Sequence, residues 1–257
     1  MKLHSRITGE GQPLIILHGL FGSSDNWQTL GKYFAEQGFQ VHLVDQRNHG
    51  RSPHSDEWTY KAMSNDILEY IDDHQLKAPV LLGHSMGGKA SMQFAADHPG
   101  ILDKLIVADI APRKYNSTQK DVAEALQRID LDSVTSRKEA EEILDQGIDD
   151  TGTKQFLLKN LYWKEGERER LAWRFNLDVL AANIENGSEA LEWNGKRSDV
   201  NALFLRGSRS NYIKDEDIPQ IKEIFPSSKL ITIEGAGHWL HAEKPQEFFK
   251  AVIDFIK

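Results

Sequence analysis

A serine and a histidine far apart in this chain have the chemistry of a nucleophile and its base. Ser85 lies in Gly83-His84-Ser85-Met86-Gly87, the pattern G-x-S-x-G, after the apolar run 79–82 and before an amphipathic stretch at 86–97. A strand that turns sharply into a helix lifts such a serine above the sheet, and the flanking glycines leave room where a Cβ would collide. The helix start adds free N–H groups and a favourable dipole end beside the hydroxyl. Met86, the next residue, offers one of the two backbone N–H groups that an oxyanion needs. A serine hydroxyl at neutral pH is a weak nucleophile and requires a base. Of the ten histidines, His238 is the best placed: it follows the apolar run 230–233 through Glu-Gly-Ala-Gly. That is the C-terminal edge of a parallel strand, where reactive groups and ligands collect in such sheets. His241 is expected in the wall of the site or at the start of the next segment. His42 falls within a strand, His74 and His98 fall near helix ends, and the His84 side chain is expected to point away from Ser85.

These groups must be held by a scaffold, and the hydrophobic pattern describes one. Residues 13–17, 41–44, 79–82 and 105–108 are short, unbroken apolar runs, as in parallel strands covered on both faces. Amphipathic stretches at 27–36, 60–73 and 86–97 lie between them, so strand and helix alternate. From about 113 to 194 the chain is charged and reads as helical throughout, with Phe156, Tyr162, Trp163, Trp173, Phe175 and Trp193 among its apolar residues. Strand signals return at 202–205 and 230–233, and a helix at 246–256 ends the chain. The expected class is α/β, with one core formed by 1–112 and 195–257 and a helical insertion at 113–194.

Composition narrows the partners. The 257 residues carry 31 Lys and Arg against 39 Asp and Glu, a net charge of −8, which is the wrong sign for a nucleic-acid surface or an anionic membrane. There are no cysteines, which removes disulfides, thiol nucleophiles and Cys-ligated zinc and fits a reducing, cytoplasmic setting. The first residues lack the apolar core of a secretory signal, and no apolar run approaches a membrane span. The chain also lacks G-x-x-x-x-G-K-[ST], a G-x-G-x-x-G opening the first helix, and H-E-x-x-H. Acyl transfer to water needs a nucleophile, a base, an orienting acid and an oxyanion hole, and calls for no cofactor and no metal.

The segments HGLFGSSDNW, DQRNHGRSP, GHSMGGKA, ADIAP and EGAGHWLHAEKP together resemble the α/β-hydrolase fold family, spread over most of the chain. They are most similar to a group of small bacterial esterases and mitochondrial abhydrolase-domain proteins. The resemblance implies a mostly parallel, twisted sheet with helices on both faces and a helical cap inserted after the sixth strand. It implies hydrolysis of carboxylic esters or acyl thioesters of short to medium acyl chains, with a small-molecule substrate. In this family the triad order is serine, acid, histidine, and the usual acid follows the seventh strand. Here that loop reads GSRSNYI, with Ser210 where an aspartate is expected and Asp215 and Asp217 only later. The sixth strand, however, runs into Asp109, a position that some members of the family use. Asp109 is therefore the expected acid and Asp215 its rival. The family's HG-x loop assigns the second oxyanion donor to Leu20 and makes His18 a structural residue. The loop holding Asp45, Arg47 and His49 reads as a hydrogen-bonded turn, and Lys89 as a helix residue. Phe21, Tyr212 and Trp239 are the expected substrate-binding residues, with the insertion's aromatics either lining a pocket or forming the insertion's own core. Ser85 stands where haloalkane dehalogenases and epoxide hydrolases carry aspartate. Carbon–carbon bond hydrolysis, cofactor-free haloperoxidase chemistry and a silent receptor on the same fold remain the alternatives.

Overall fold

The computed structural model describes residues 1–115, 119–164, 170–191, 193 and 195–257. The chain begins with β1 (Ser5–Thr8), β2 (Gln12–Leu17), α1 (Gln28–Glu36), β3 (Phe39–Val44) and α2 (Tyr60–Asp73). It continues through β4 (Val80–His84), α3 (Met86–Asp97) and β5 (Lys104–Ala108). The next stretch holds α4 (Gln119–Gln127), α5 (Arg137–Leu144), α6 (Thr151–Leu158), β6 (Leu161–Lys164), β7 (Arg170–Trp173), α7 (Leu177–Ala182) and α8 (Ile184–Ser188). It closes with β8 (Asn201–Gly207), α9 (Ile218–Ile224), β9 (Lys229–Ile233), α10 (Leu240–Glu243) and α11 (Pro245–Ile256). Among the described residues no helix is long and apolar enough to cross a membrane.

Seven strands form one sheet in the order β1-β3-β2-β4-β5-β8-β9, parallel except for β1, which runs antiparallel to β3 at the edge. The unbroken apolar runs are explained by alternation between two apolar faces. Leu14, Ile16, Val80, Leu82, Ile106, Leu203 and Leu205 pack with Leu30 and Phe34 of α1 and Phe248 and Val252 of α11. Ile15, Leu17, Leu81, Leu105, Val107 and Phe204 face the other way, onto α2, α3 and the segment between β5 and β8. That segment shares its core with the sheet: Leu126, Leu144, Leu157, Leu161 and Leu180 join the same cluster as the strand residues.

Two features depart from the sequence reading, and one boundary is not tested. The insertion is not helical throughout, because β6 and β7 pair antiparallel, Leu161 opposite Trp173 and Trp163 opposite Leu171. The expected boundary at Asn194 lies outside the described residues. The insertion follows the fifth strand of this chain, the strand that the family resemblance numbers sixth, because β1 is the one strand ahead of β2.

Strand register places the chemistry. Gly83 pairs with Val107, His84 with Ala108, and Ala108 with Leu205, so β4 and β5 end level with one another and β8 runs on to Gly207. Because these strands are parallel, every loop leaving a C-terminal end opens on one edge of the sheet. The loops after β2, β4, β5, β8 and β9 meet there.

Candidate active site

The turn after β4 is sharp. Ser85 has φ 52° and ψ −115°, a conformation costly for a residue with a side chain, and its N–H is tied to the Ala108 carbonyl at 3.0 Å. A Cβ on Gly83 would lie 2.2 Å from the Gly87 carbonyl oxygen, and one on Gly87 would lie 2.6 Å from that of Leu17. Both positions therefore require glycine if the elbow is to close. Ser85 is 7% exposed and is the cap residue at the start of α3.

His238 reaches this serine from the loop after β9, with Nε2 3.1 Å from the Ser85 Oγ. Its Nδ1 lies 2.8 Å from Oδ2 of Asp109, which leaves β5 with φ 53°. A carboxylate only accepts, so Nδ1–H donates to Asp109 and Nε2 turns its lone pair to the serine hydroxyl. Asp109 is fully buried and held by two further donors: the Gly207 N–H to Oδ1 at 3.1 Å and the Ser210 hydroxyl to Oδ2. Asp215 lies elsewhere. Its side chain is 83% exposed and paired with Arg206 at 2.7 Å.

The HGLFGS loop leaves β2 beside the elbow. The N–H groups of Phe21 and Gly22 are committed, to His49 Nε2 at 3.2 Å and to the Gly19 carbonyl at 3.0 Å. Among the described residues the Leu20 N–H has no acceptor. Met86 is the first residue of α3, so its N–H has no partner inside the helix. A cavity of about 220 Å3 opens over Ser85 and His238 and is lined by Leu20, Phe21, Tyr212 and Trp239. The Tyr212 ring stacks on His238 with centroids 3.9 Å apart, and Trp239 packs on Phe156 of α6 at 4.3 Å. Phe21 is buried and packs on Phe175 with ring centroids 5.1 Å apart. Of the insertion's aromatics, Phe156 lines the cavity. Trp173 stacks on Phe175, Tyr162 lies under Arg174, Trp193 packs on Phe225, and Trp163 is exposed.

A family of proteins described by the alpha/beta hydrolase fold matches residues 12–245. The chain belongs to the α/β-hydrolase fold family. Among relatives, it is 36% identical over 254 residues to the sn-1-specific diacylglycerol lipase ABHD11 of Xenopus tropicalis, spanning 96% of this chain and 78% of that protein. It is 35% identical over 261 residues to Esterase YbfF of Escherichia coli (strain K12), covering 98% of each. A solved structure, a marine microorganism esterase, superposes with a TM-score of 0.95 at 46% identity over 99% of both chains.

Several residues of this α/β-hydrolase site act through others: His84, His18 and the 45–53 turn have the structural character expected of them, and the structure adds their partners. Ser210, standing where an aspartate was expected, donates to the aspartate that comes from β5. His84 points away from Ser85, and its Nε2–H donates to the His238 carbonyl at 2.9 Å, holding the β9 loop. His49 donates from Nδ1 to the Arg47 carbonyl at 2.9 Å, so its Nε2 is the acceptor that holds Phe21. Asp45 accepts the Ser24 N–H at 2.6 Å and the Arg51 N–H at 3.0 Å. Arg47 is bidentate to Asp66 at 2.6 and 3.0 Å. The 45–53 loop is thus a structural turn that also braces the loop carrying Leu20. His18 is braced likewise, accepting the Gln46 N–H at 3.1 Å and donating to the Gly19 carbonyl at 2.8 Å.

Burial pushes the buried imidazoles down: His84 well below its usual value, and His49 and His241 to about 3. His241 stacks on Trp27 at 4.2 Å, and among the described residues its Nδ1 has no hydrogen-bond partner. Between about 6.5 and about 3, the unfolded chain binds a proton at His241 that the folded chain excludes, so stability falls as pH falls through that window. The slope from this one group is at most ~1.4 kcal/mol per pH unit. His241→Phe keeps the stacking and removes the proton site. Thermal melts at pH 7 and pH 4.5 should show a smaller loss for the variant than for the wild type; equal losses would refute the assignment.

Lys89 is a residue of α3, as expected, and a buried one. It is fully buried one turn after Ser85, with Nζ bonded to the carbonyls of Ser188 and Glu189 at 3.2 and 2.5 Å. Burial lowers it to about 7. It ties α3 to the end of α8 rather than reaching the reacting atoms.

Proposed function

We propose that the chain is a serine hydrolase that cleaves carboxylic esters of short to medium acyl chains, with acyl thioesters as the second class. The observation that carries this reading is the continuous contact Asp109–His238–Ser85, at 2.8 and 3.1 Å, at the floor of an apolar cavity. The names of the relatives, a lipase and two esterases, support the ester bond as the target.

In this reading His238 Nε2 takes the hydroxyl proton as Ser85 Oγ attacks the acyl carbon. Asp109 holds the ring and stabilises the imidazolium that forms. The carbonyl oxygen, now negative, lies between the N–H groups of Leu20 and Met86. The carbon–oxygen bond to the leaving alcohol breaks as His238 returns the proton to it. Water then repeats the sequence on the acyl-serine, releasing the acid. Tyr212 and Trp239 pack on His238 and bound the cavity, and the segment 113–194 acts as a cap that keeps it apolar.

The test is a panel of p-nitrophenyl esters and acyl-CoA thioesters, run beside labelling with an organophosphonate. Turnover of esters and a single adduct on the peptide containing Ser85 are expected. No turnover and no adduct would leave the silent-receptor alternative. Turnover confined to a carbon–carbon substrate or to halogenation would replace the ester reading.

A further inference from the structure

We infer that Tyr115 is a positioning residue for the acid and base of this site: its hydroxyl joins the loop that carries Asp109 to the loop that carries Ser210 and Tyr212. This rests on the ester-hydrolase reading and extends it to a residue outside the triad.

Asp109 leaves β5 with φ 53°, a left-handed conformation that persists in a residue with a side chain only where its surroundings hold it. On one side the Asp109 N–H donates to the Leu205 carbonyl at 2.8 Å. On the other, two residues on, the Ala111 N–H donates to the Tyr115 hydroxyl at 2.7 Å. The single proton of that hydroxyl goes to the Tyr212 carbonyl at 2.5 Å, the Ala111 carbonyl being farther off at 3.4 Å. The Tyr212 N–H in turn donates to the Ser210 Oγ at 3.2 Å, and the Ser210 hydroxyl donates to Oδ2 of Asp109. These bonds close a circuit. It runs from Asp109 along the backbone to Ala111, through the Tyr115 hydroxyl to Tyr212, and back through Ser210 to the carboxylate. The Tyr212 ring stacks on His238 with centroids 3.9 Å apart. A shift of the Tyr115 hydroxyl therefore moves both the carboxylate that orients the imidazole and the ring that packs on it.

Tyr115 is itself firmly held. It is buried, and its N–H donates to the Ser188 carbonyl at 2.9 Å. The same carbonyl accepts from Lys89 Nζ at 3.2 Å, and that ammonium lies 4.9 Å from the Tyr115 ring centroid. The Arg113 guanidinium lies 4.1 Å from the same centroid. Burial pushes the phenol up, so the hydroxyl keeps the proton that it gives to Tyr212. The buried Lys89 thus reaches the base indirectly, by fixing the ring that carries this hydroxyl. Both hydrogen-bond partners of the hydroxyl are backbone groups, so its loss should act on the rate rather than on substrate binding.

The test is Tyr115→Phe, which keeps the ring and removes only the hydroxyl. Turnover of p-nitrophenyl acetate is expressed per active site titrated to completion with the organophosphonate, so that a loss of folded protein does not register as a loss of rate. kcat per titrated site should fall about 10- to 100-fold, as for a displacement approaching 1 Å, with KM changed by less than about 2-fold. A brace needed only for stability would lower the melting temperature and leave kcat per titrated site unchanged, and that result would overturn the inference. Ser210→Ala cuts the same circuit at another link, so the double variant should lose less than the product of the two single losses. Losses that simply multiply would show that Tyr115 does not act through this circuit. Should Tyr115→Phe fail to fold, Ser210→Ala decides: a fall of about 10-fold in kcat supports the circuit, and an unchanged kcat means that it carries nothing to Asp109. Failure of the wild type on every ester, with no adduct at Ser85, would instead remove the ester-hydrolase reading itself.

Discussion

Ser85→Ala should lower kcat for a p-nitrophenyl ester by about four to six orders of magnitude, with KM little changed and the fold intact. The reason for the first part is that no other group stands where this hydroxyl does. Its Oγ is the atom 3.1 Å from the His238 Nε2, and without it the base has nothing to deprotonate but water. The residual rate would come from the two N–H donors and from binding alone. KM holds because the hydroxyl contributes to the transition state rather than to substrate binding, so kcat and kcat/KM should fall together. The fold holds because the elbow is built from backbone. The Ser85 N–H to Ala108 carbonyl bond and the Lys89 N–H to Ser85 carbonyl bond, both 3.0 Å, do not involve the side chain. Alanine also meets the same positive φ as serine, so strain at the turn is unchanged. The measurement is steady-state turnover beside a thermal melt. Near-wild-type turnover in a folded variant would end the serine-hydrolase proposal.

What the sequence made legible was local in origin. The elbow was readable because a tight strand-to-helix turn demands glycines two residues either side of the serine, a requirement written within five positions. The strands β2, β3, β4, β5 and β8 were readable because burial on two faces leaves an apolar run, and the edge strand β9, partly exposed, was readable from its β-branched residues Ile231, Thr232 and Ile233. The edge strand β1 left no such mark: Ser5–Thr8 is half-buried to exposed and is held by pairing with β3 rather than by its own side chains. The β6–β7 hairpin was hidden because the leucines of 154–163 and the leucines and alanines of 171–184 satisfy a helical period. Tertiary pairing of Leu161 with Trp173 overrides it. Ser210, His49 and His84 were not legible as supports, because each acts on a group far away in the chain. Ser210 touches Asp109 across 101 positions and His84 the His238 carbonyl across 154, and such pairs follow from strand order, not from neighbouring residues.

Strand order also bears on the acid, and Asp109→Asn set against Asp215→Asn gives the second large effect. Asp109→Asn should cost about 10,000-fold in kcat. The change keeps the shape of the side chain, and asparagine tolerates the positive φ found at this position. The orientation of the new amide follows from the donors already present. Gly207 N–H donates to Oδ1, so the amide oxygen stays there and the NH2 group takes the place of Oδ2, facing His238 Nδ1. A donor there forces Nδ1 to accept and moves the ring proton to Nε2, where it meets the Ser85 hydroxyl instead of receiving its proton. The imidazolium formed during attack also loses its counter-charge. The same NH2 group now faces the Ser210 hydroxyl, which must turn from donating to accepting, so the pocket can remain hydrogen-bonded while the base is disabled. Asp215→Asn should change kcat less than 2-fold, since an exposed pair with Arg206 is worth roughly 0–1 kcal/mol of stability and touches no reacting group. Equal losses in the two variants, or a larger one at Asp215, would transfer the role of the acid away from Asp109.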